Sequence, residues 1–371
     1  MSVDMPKDQL ETPALLIDLD ALEKNIKTMG DYYRAKKGAA LRPHQKGHRL
    51  PTIAKKQMDA GAIGVASTSL GLAEFYVKSG IDEILVTAEI CGASKIAKLC
   101  ALSKHADITV SVDDLENIRQ LSETALANGR RIKIAAELYM GLGSAGVELS
   151  RAKDFVLEIQ KYRGVEFKGL WWHAGQLGGV QEFEKRRDME FKILDDIVIV
   201  KDDIEDAGIN VEMLSGGFSC TWNITPEYQS LRNVGVQAGS YVFSDWVSHS
   251  IEGLEVFDYA LTVLTRCISR PKTNEAILDA GMNSCSFEHG EDYVRVVGPE
   301  FKDLDGIERV VPREELTLAV FKSEKPEVKV GDLFELIPPH SDTTAKLHDK
   351  YYGIRDGKVE VIWPNYGRGL F

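Results

Sequence analysis

From residue 38 to about residue 245 the chain repeats one rhythm: an apolar run of strand length, then a longer segment whose apolar residues recur at helical spacing. Repeated βα units read this way, because a strand buried on both faces is a short continuous apolar run while its crossover helix shows a single apolar stripe. Eight runs qualify as strands: Ala39 to Pro43, Ala62 to Ser67, Glu83 to Ala88, Asp107 to Val112, Lys133 to Tyr139, Gly169 to His173, Asn210 to Leu214 and Val234 to Ala238. Between them lie amphipathic segments such as Gly71 to Ser79, Ala93 to Ser103, Leu115 to Asn128, Arg151 to Tyr162 and Arg186 to Ala207. Eight units predict a (β/α)8 barrel, whose chemistry gathers on the loops at the strand C-termini. An open doubly wound sheet competes with it and would carry a dinucleotide fingerprint. Gly141-Leu142-Gly143-Ser144-Ala145-Gly146 spells G-x-G-x-x-G, but it follows the fifth strand and lacks an acidic ribose partner at the required distance.

Beyond residue 250 the rhythm changes to short alternating runs, Glu255 to Cys267, Glu275 to Leu278, Leu316 to Phe321, Leu333 to Ile337, Tyr351 to Arg355 and Val359 to Ile362, with turn signals such as Asp356-Gly357 between them. This predicts an antiparallel β domain. The early run Ala14 to Leu19 precedes the first barrel strand and is free to pair into that domain. The expected organisation is an N-terminal segment 1–24, a barrel 25–250 and a β domain 251–371.

Charge narrows the partners. With 45 Lys and Arg against 57 Asp and Glu and no basic cluster, the chain is a poor match for nucleic acid or an anionic membrane. No stretch has the roughly 18 apolar residues of a membrane span, and the start lacks a secretory pattern. The five cysteines are odd in number and widely spaced, as in reduced thiols, so a cytoplasmic enzyme-sized protein acting on small molecules is expected.

Several strand-end segments carry chemistry. Lys46 lies in Arg42-Pro43-His44-Gln45-Lys46-Gly47-His48-Arg49, just after the first strand. An amine flanked by imidazoles at a strand mouth can be desolvated and made nucleophilic, as a Schiff-base lysine is; a solvated loop lysine is the competing reading. Ser215-Gly216-Gly217-Phe218-Ser219-Cys220-Thr221 follows the seventh strand and Gly239-Ser240-Tyr241 the eighth, where barrels build phosphate cradles from backbone N–H groups and hydroxyls. The glycines can equally serve only to make tight turns. The sixth strand ends in His173-Ala174-Gly175-Gln176, with an imidazole and an amide placed for a ligand, although His173 can equally be a core residue bonded to backbone. In Pro338-Pro339-His340-Ser341-Asp342, an extended backbone would point His340 and Asp342 to one face. There they could share a divalent cation, Mn²⁺ or Mg²⁺ before Zn²⁺ given the hard carboxylate; an ordinary polar turn is the alternative.

Together the run Arg42 to Arg49, the Ser-Gly-Gly turn, Gly239-Ser240-Tyr241-Val242-Phe243, Asp279-Ala280-Gly281, Ser323-Glu324, Pro339-His340-Ser341-Asp342 and Trp363-Pro364 resemble the D-threonine aldolase and D-serine dehydratase group, which includes 3-hydroxy-D-aspartate aldolases. The resemblance spans nearly the whole chain. It implies pyridoxal-phosphate enzymes with an alanine-racemase-like barrel working as head-to-tail homodimers. It implies that Lys46 holds the cofactor covalently, that Gly216, Gly217, Ser219, Cys220, Gly239, Ser240 and Tyr241 take its phosphate, and that His44 and Gln176 border it. His340 and Asp342 would hold the cation beside the substrate's β-hydroxyl, with His173 or His340 near the reacting proton. One departure stands out: the arginine that family members place near the cofactor ring is Ser144 here, so that Tyr139 or Ser144 would supply a neutral hydrogen bond. The surroundings of His173 look closer to the dehydratase branch and Asp342 closer to the aldolase branch. The metal pair touches the reacting group and so decides for cleavage of a D-3-hydroxy amino acid, such as D-threonine or 3-hydroxy-D-aspartate, to glycine and an aldehyde. The alternatives are a D-serine or 3-hydroxy-D-aspartate dehydratase, releasing ammonia and a 2-oxo acid, and a non-catalytic pyridoxal-phosphate carrier.

Overall fold

Eight parallel strands form, each overlapping one of the eight apolar runs: Ala39–Leu41, Val65–Ser67, Glu83–Glu89, Asp107–Val112, Ile132–Leu138, Val165–Trp172, Met213–Gly216 and Val234–Val236. The computed structural model describes residues 3–36, 38–141, 143–289, 296–297 and 299–371, so Leu142 of the glycine run lies outside the described residues. The chain divides into two units, one of Met29–Gly239 with Gly369–Phe371, the other of Met1–Thr28 with Ser240–Arg368.

In the first unit each strand pairs with its sequence neighbour from the second to the eighth, and the eighth pairs with the first. The circle closes between the first and second strands, where Gln45 N–H donates to the Ala66 carbonyl at 2.8 Å and Ala66 N–H to the Pro43 carbonyl at 3.0 Å. This is the (β/α)8 barrel expected from the rhythm. Side chains two apart share a face. Leu85, Ala135 and Trp171 pack with Met213 inside the barrel, while Ile84, Val86, Val110, Ile134 and Trp172 are buried too, which is why the runs read as continuously apolar. Two of the crossover helices start where a side chain caps them: Ser69 Oγ accepts from Leu72 N–H at 3.2 Å, and Asp114 Oδ1 from Asn117 N–H at 2.9 Å.

The two tryptophans at 171 and 172 go to opposite faces, and the outer one explains a glycine. A Cβ on Gly216 would lie 2.1 Å from Trp172 Cε2, so this residue ends the seventh strand with no side chain because an indole fills the space. Gly216→Ala should destabilise the protein by about 3 kcal/mol, since neither backbone nor ring can give way freely. A melting curve of the variant checks this; an unchanged midpoint would contradict it.

In the second unit Ala14–Asp18 pairs antiparallel with Leu261–Ser269 and parallel with Lys350–Arg355. The antiparallel β domain expected beyond residue 250 is present, and Ala14–Asp18 joins it with one antiparallel and one parallel neighbour. No hairpin ties Ala14–Asp18 to its neighbours, so nothing local dictates its direction. The Lys350–Arg355 and Lys358–Pro364 hairpin turns at Asp356 (φ 50°) and Gly357 (φ 73°), as the two-residue signal required. Leu16, Leu264, Tyr352 and Val359 share its core. A strand at Ile307–Pro312 escaped the sequence reading because its residues are only half-buried or exposed and it ends in proline. Among the described residues no helix is long and apolar enough to cross a membrane.

Candidate active site

The run after the first barrel strand coils back on itself. Arg49 takes a left-handed φ of 53°, its N–H reaches the Gln45 carbonyl at 3.1 Å, and its Nε reaches the Lys46 carbonyl at 3.3 Å. Gln45 anchors the turn by donating to the Pro43 carbonyl and to Gln57 Oε1, both at 2.9 Å. Lys46 is half-buried. Its own N–H donates to His44 Nδ1 at 3.2 Å, which leaves the His44 proton on Nε2, 3.1 Å from Thr87 Oγ1. Thr87 in turn donates to the Ser67 carbonyl at 3.1 Å. The imidazole thus locks the turn that carries Lys46 onto the second and third strands.

A ring of contacts links this turn to the other strand ends. His173 carries the electrostatic influence of Lys46, and its ring meets Phe218 edge-on at 5.6 Å. The neighbouring Ser219 Oγ accepts from Gly239 N–H at 3.1 Å. A Cβ on Gly239 would fall 2.4 Å from the His44 carbonyl oxygen, so only glycine lets the eighth strand's exit pass so close to the lysine turn. His173 is exposed at the mouth, yet the protein packed around it strips enough water to lower its imidazole to about 4, with the Lys46 charge adding to the effect. It is neutral at pH 7 and able to accept a proton.

The turn after the seventh strand is built for close approach. Gly217 has φ 66°, and a Cβ there would press at 3.0 Å on the hydroxyls of Thr221 and Thr225. Phe218 N–H donates to Thr221 Oγ1 at 3.2 Å, and Thr225 donates to Glu190 Oε1 at 2.7 Å. Cys220 is buried with its thiol pushed well up by burial, and its carbonyl takes a 2.8 Å bond from Arg186 Nε, so what it offers a ligand is backbone.

Glu190 escaped the sequence reading because it sits mid-helix in a charged segment. It is fully buried and its carboxyl is raised by burial to about 7, against the opposing pull of the Thr225 bond. The unfolded chain ionises this group from pH 4.5 upward while the folded chain holds its proton to about 7, so stability is lost across that window as pH rises. Glu190→Gln removes the loss. Relative to the wild type, the variant should gain on the order of 3 kcal/mol between pH 4.5 and about pH 8, read from paired melting curves.

Tyr139 is half-buried and lies two residues beyond Glu137. Ser144 is exposed in a turn and donates to the Gly141 carbonyl at 3.1 Å. Gln176 Nε2 donates to the Met140 carbonyl at 3.1 Å, and its buried Oε1 has no hydrogen-bond partner among the described residues. An acceptor held in that way suits a ligand donor. Deeper in the barrel, Trp171 Nε1 donates at 2.8 Å to Ser111 Oγ, which stands 2.8 Å from Glu89 Oε1 and 3.1 Å from Glu137 Oε2. Burial, then the hydrogen bond and charge of Glu89, push Glu137 up to about 9, so this pair keeps a proton at neutral pH. An acid within the apolar run Ile132 to Leu138 was the signal that sequence reading passed over.

In the other unit Ser240 starts a short turn and the Tyr241 ring is buried, 5.5 Å from Phe257. His340 and Asp342 do come together: Nε2 and Oδ2 are 3.6 Å apart. The extended backbone expected for them is corrected beyond His340, which occupies the position before the helical turn Ser341–Ala345, so that the turn, rather than strand pleating, aligns the pair. Among the described residues no cluster of three or more His, Cys, Asp or Glu is placed to hold an ion. An imidazole nitrogen and a carboxylate oxygen at this separation fit a shared divalent cation, with substrate and water left to complete its coordination.

Residues 17–244 match the family model described as alanine racemase, N-terminal domain, and residues 260–354 match that of a serine dehydratase domain. The chain is 33% identical to 3-hydroxy-D-aspartate aldolase of Paracoccus denitrificans (strain Pd 1222), over 98% of this chain and 94% of that protein. It is 29% identical to D-threonine aldolase of an Arthrobacter species over the same shares. The crystal structure of D-threonine aldolase from Filomicrobium marinum superposes with a TM-score of 0.92 at 30% identity, covering 100% of this chain and 98% of that one.

Proposed function

The chain belongs to the alanine racemase N-terminal domain family, and we propose that it is a lyase, a pyridoxal-phosphate- and divalent-cation-dependent aldolase that cleaves a D-3-hydroxy amino acid into glycine and an aldehyde. The observation that carries this reading is the His340–Asp342 pair, 3.6 Å apart, on a chain that is similar over nearly its full length to aldolases of such substrates. A racemase would leave that pair without a task.

Lys46 would hold pyridoxal phosphate, and the turns at 217–220 and 239–241 would take its phosphate through backbone N–H groups and hydroxyls. When bound, the cofactor supplies an electron sink at the substrate's α-carbon. Gly217 and Gly239 fit this use, because a Cβ at either would press on its neighbours and crowd the turn. His44 keeps the lysine turn in register. Gln176 Oε1 and the Tyr139 hydroxyl are the neutral polar groups left to orient the ring and substrate where the family's arginine is Ser144. His340 and Asp342 would hold Mn²⁺ or Mg²⁺, whose contribution is to acidify the β-hydroxyl as a Lewis acid. His173, unprotonated at pH 7, is the barrel's base for the hydroxyl proton, and its low pKa keeps it available down to about pH 4.

The protein is further proposed to act as a homodimer in the cytoplasm; its five cysteines are all free thiols, which suits a reducing compartment. Incubation of the purified protein with D-threonine and with 3-hydroxy-D-aspartate, pyridoxal phosphate and Mn²⁺ supplied, tests the activity. Glycine and the matching aldehyde are expected in equal amounts. Ammonia with a 2-oxo acid would replace this reading by a dehydratase, and no turnover with full cofactor absorbance would replace it by a carrier.

A further inference from the structure

Asp245 is the most deeply buried carboxylate outside the groups considered so far that still meets several donors. It is 1% exposed. Its Oδ1 accepts from Ser248 N–H at 2.9 Å, which caps the helical turn Trp246–His249. Its Oδ2 reaches elsewhere, accepting from Ser341 N–H at 2.9 Å and from Ser341 Oγ at 3.1 Å. Ser341 is the residue between His340 and Asp342 and is itself fully buried. Two further bonds run alongside, from Trp246 N–H to the Pro338 carbonyl at 3.2 Å and from Val247 N–H to the Pro339 carbonyl at 3.3 Å.

Capping a four-residue helix does not call for a buried charge, since a surface serine or asparagine does it as well. Burying a carboxylate is costly unless donors surround it, and here two of the three donors belong to one residue of another segment. That segment is held by the capped turn at Pro338, Pro339 and Ser341 in succession, immediately before and between the two ligand side chains. We infer that Asp245 is a positioning residue for the cation site, fixing Ser341 so that His340 and Asp342 converge on one ion. The inference rests on the reading of that pair as cation ligands. With no third His, Cys, Asp or Glu joining the pair among the described residues, the mutual placement of two side chains is most of what the protein contributes to affinity. A change behind the ligands should therefore be felt strongly.

The test is Mn²⁺ binding to the holoenzyme, followed by the electron paramagnetic resonance of the free ion, for the wild type, Asp245→Asn, Ser341→Ala and Asp342→Ala. Asparagine keeps the cap to Ser248 but presents an N–H₂ group where Ser341 needs an acceptor. Asp245→Asn should weaken Mn²⁺ about 10- to 100-fold while pyridoxal absorbance is retained, and saturating Mn²⁺ should restore its turnover. Ser341→Ala, which removes only the hydroxyl arm, should weaken the ion by a smaller factor and serves as the deciding variant if Asp245→Asn does not fold. Wild-type affinity in the deciding variant, with Asp342→Ala unable to bind, overturns the role of Asp245 alone. Equal uptake by the wild type and Asp342→Ala overturns the cation site itself.

Discussion

Lys46→Ala is expected to lower turnover of any D-3-hydroxy amino acid by on the order of a thousandfold or more, and to abolish the pyridoxyl label that borohydride leaves on the chain. The size follows from the residue's position. The turn bearing Lys46 is tied at its base by Gln45, on one side by the His44 to Thr87 bond, and across the mouth by the close passage of Gly239 against His44. So many ties on one short run make sense if a single amine must be held in place against a cofactor whose phosphate is gripped by neighbouring strand ends. Lys46→Arg keeps the charge and most of the volume but cannot form the bond, so it separates chemistry from electrostatics. It should lose the label and the activity as fully as alanine does, while its melting temperature stays near that of the wild type. An arginine variant that turns over substrate, or a label that maps to a different lysine, would remove Lys46 from the chemistry.

How much of this was legible beforehand differs between the two units. The barrel was readable because burial on both faces makes each strand a continuous apolar run: Asp107–Val112 begins and ends where its run does. Strand ends were harder, as at Met213–Gly216, where the run began at Asn210 yet pairing starts three residues later beside Gly169. Lys46, the glycine turns and the His340–Asp342 pair were visible as residue types at strand ends or in a motif. What placed them was not. His44's tautomer, the need for glycine at 239 and the helical turn under His340 depend on segments far apart in sequence. Gly216 shows the ambiguity well, since the same letter that suggested a phosphate turn also accommodates the Trp172 indole. Glu190 and Asp245 went unnoticed because an acid in a polar or charged setting gives no periodic signal; only burial makes it conspicuous, and burial is a property of the packed chain.

The second large effect belongs to the cation. Chelation of the wild type is expected to lower turnover by on the order of a hundredfold or more, with recovery on adding Mn²⁺ or Mg²⁺, because an alkyl hydroxyl gives up its proton near pH 7 far more readily when a Lewis acid holds its oxygen. Asp342→Ala should reproduce the chelated state and resist recovery, since it leaves His340 as the one ligand of the pair. The more searching variant is Asp342→Cys. Its thiolate would sit where a buried carboxylate 2% exposed now faces His340 Nε2, keeping the ligand count while softening the donor. Hard Mn²⁺ and Mg²⁺ should then restore little, whereas Zn²⁺ should bind, because zinc accepts a nitrogen and sulfur pair and the two harder ions take it poorly. A switch of metal preference of this kind is something loss of folding cannot imitate. If instead chelated wild type kept its full rate, or Asp342→Cys kept the wild-type preference for Mn²⁺, the hydroxyl proton would have to leave without help from this pair. His173, neutral down to about pH 4, would then be the group on which deprotonation depends.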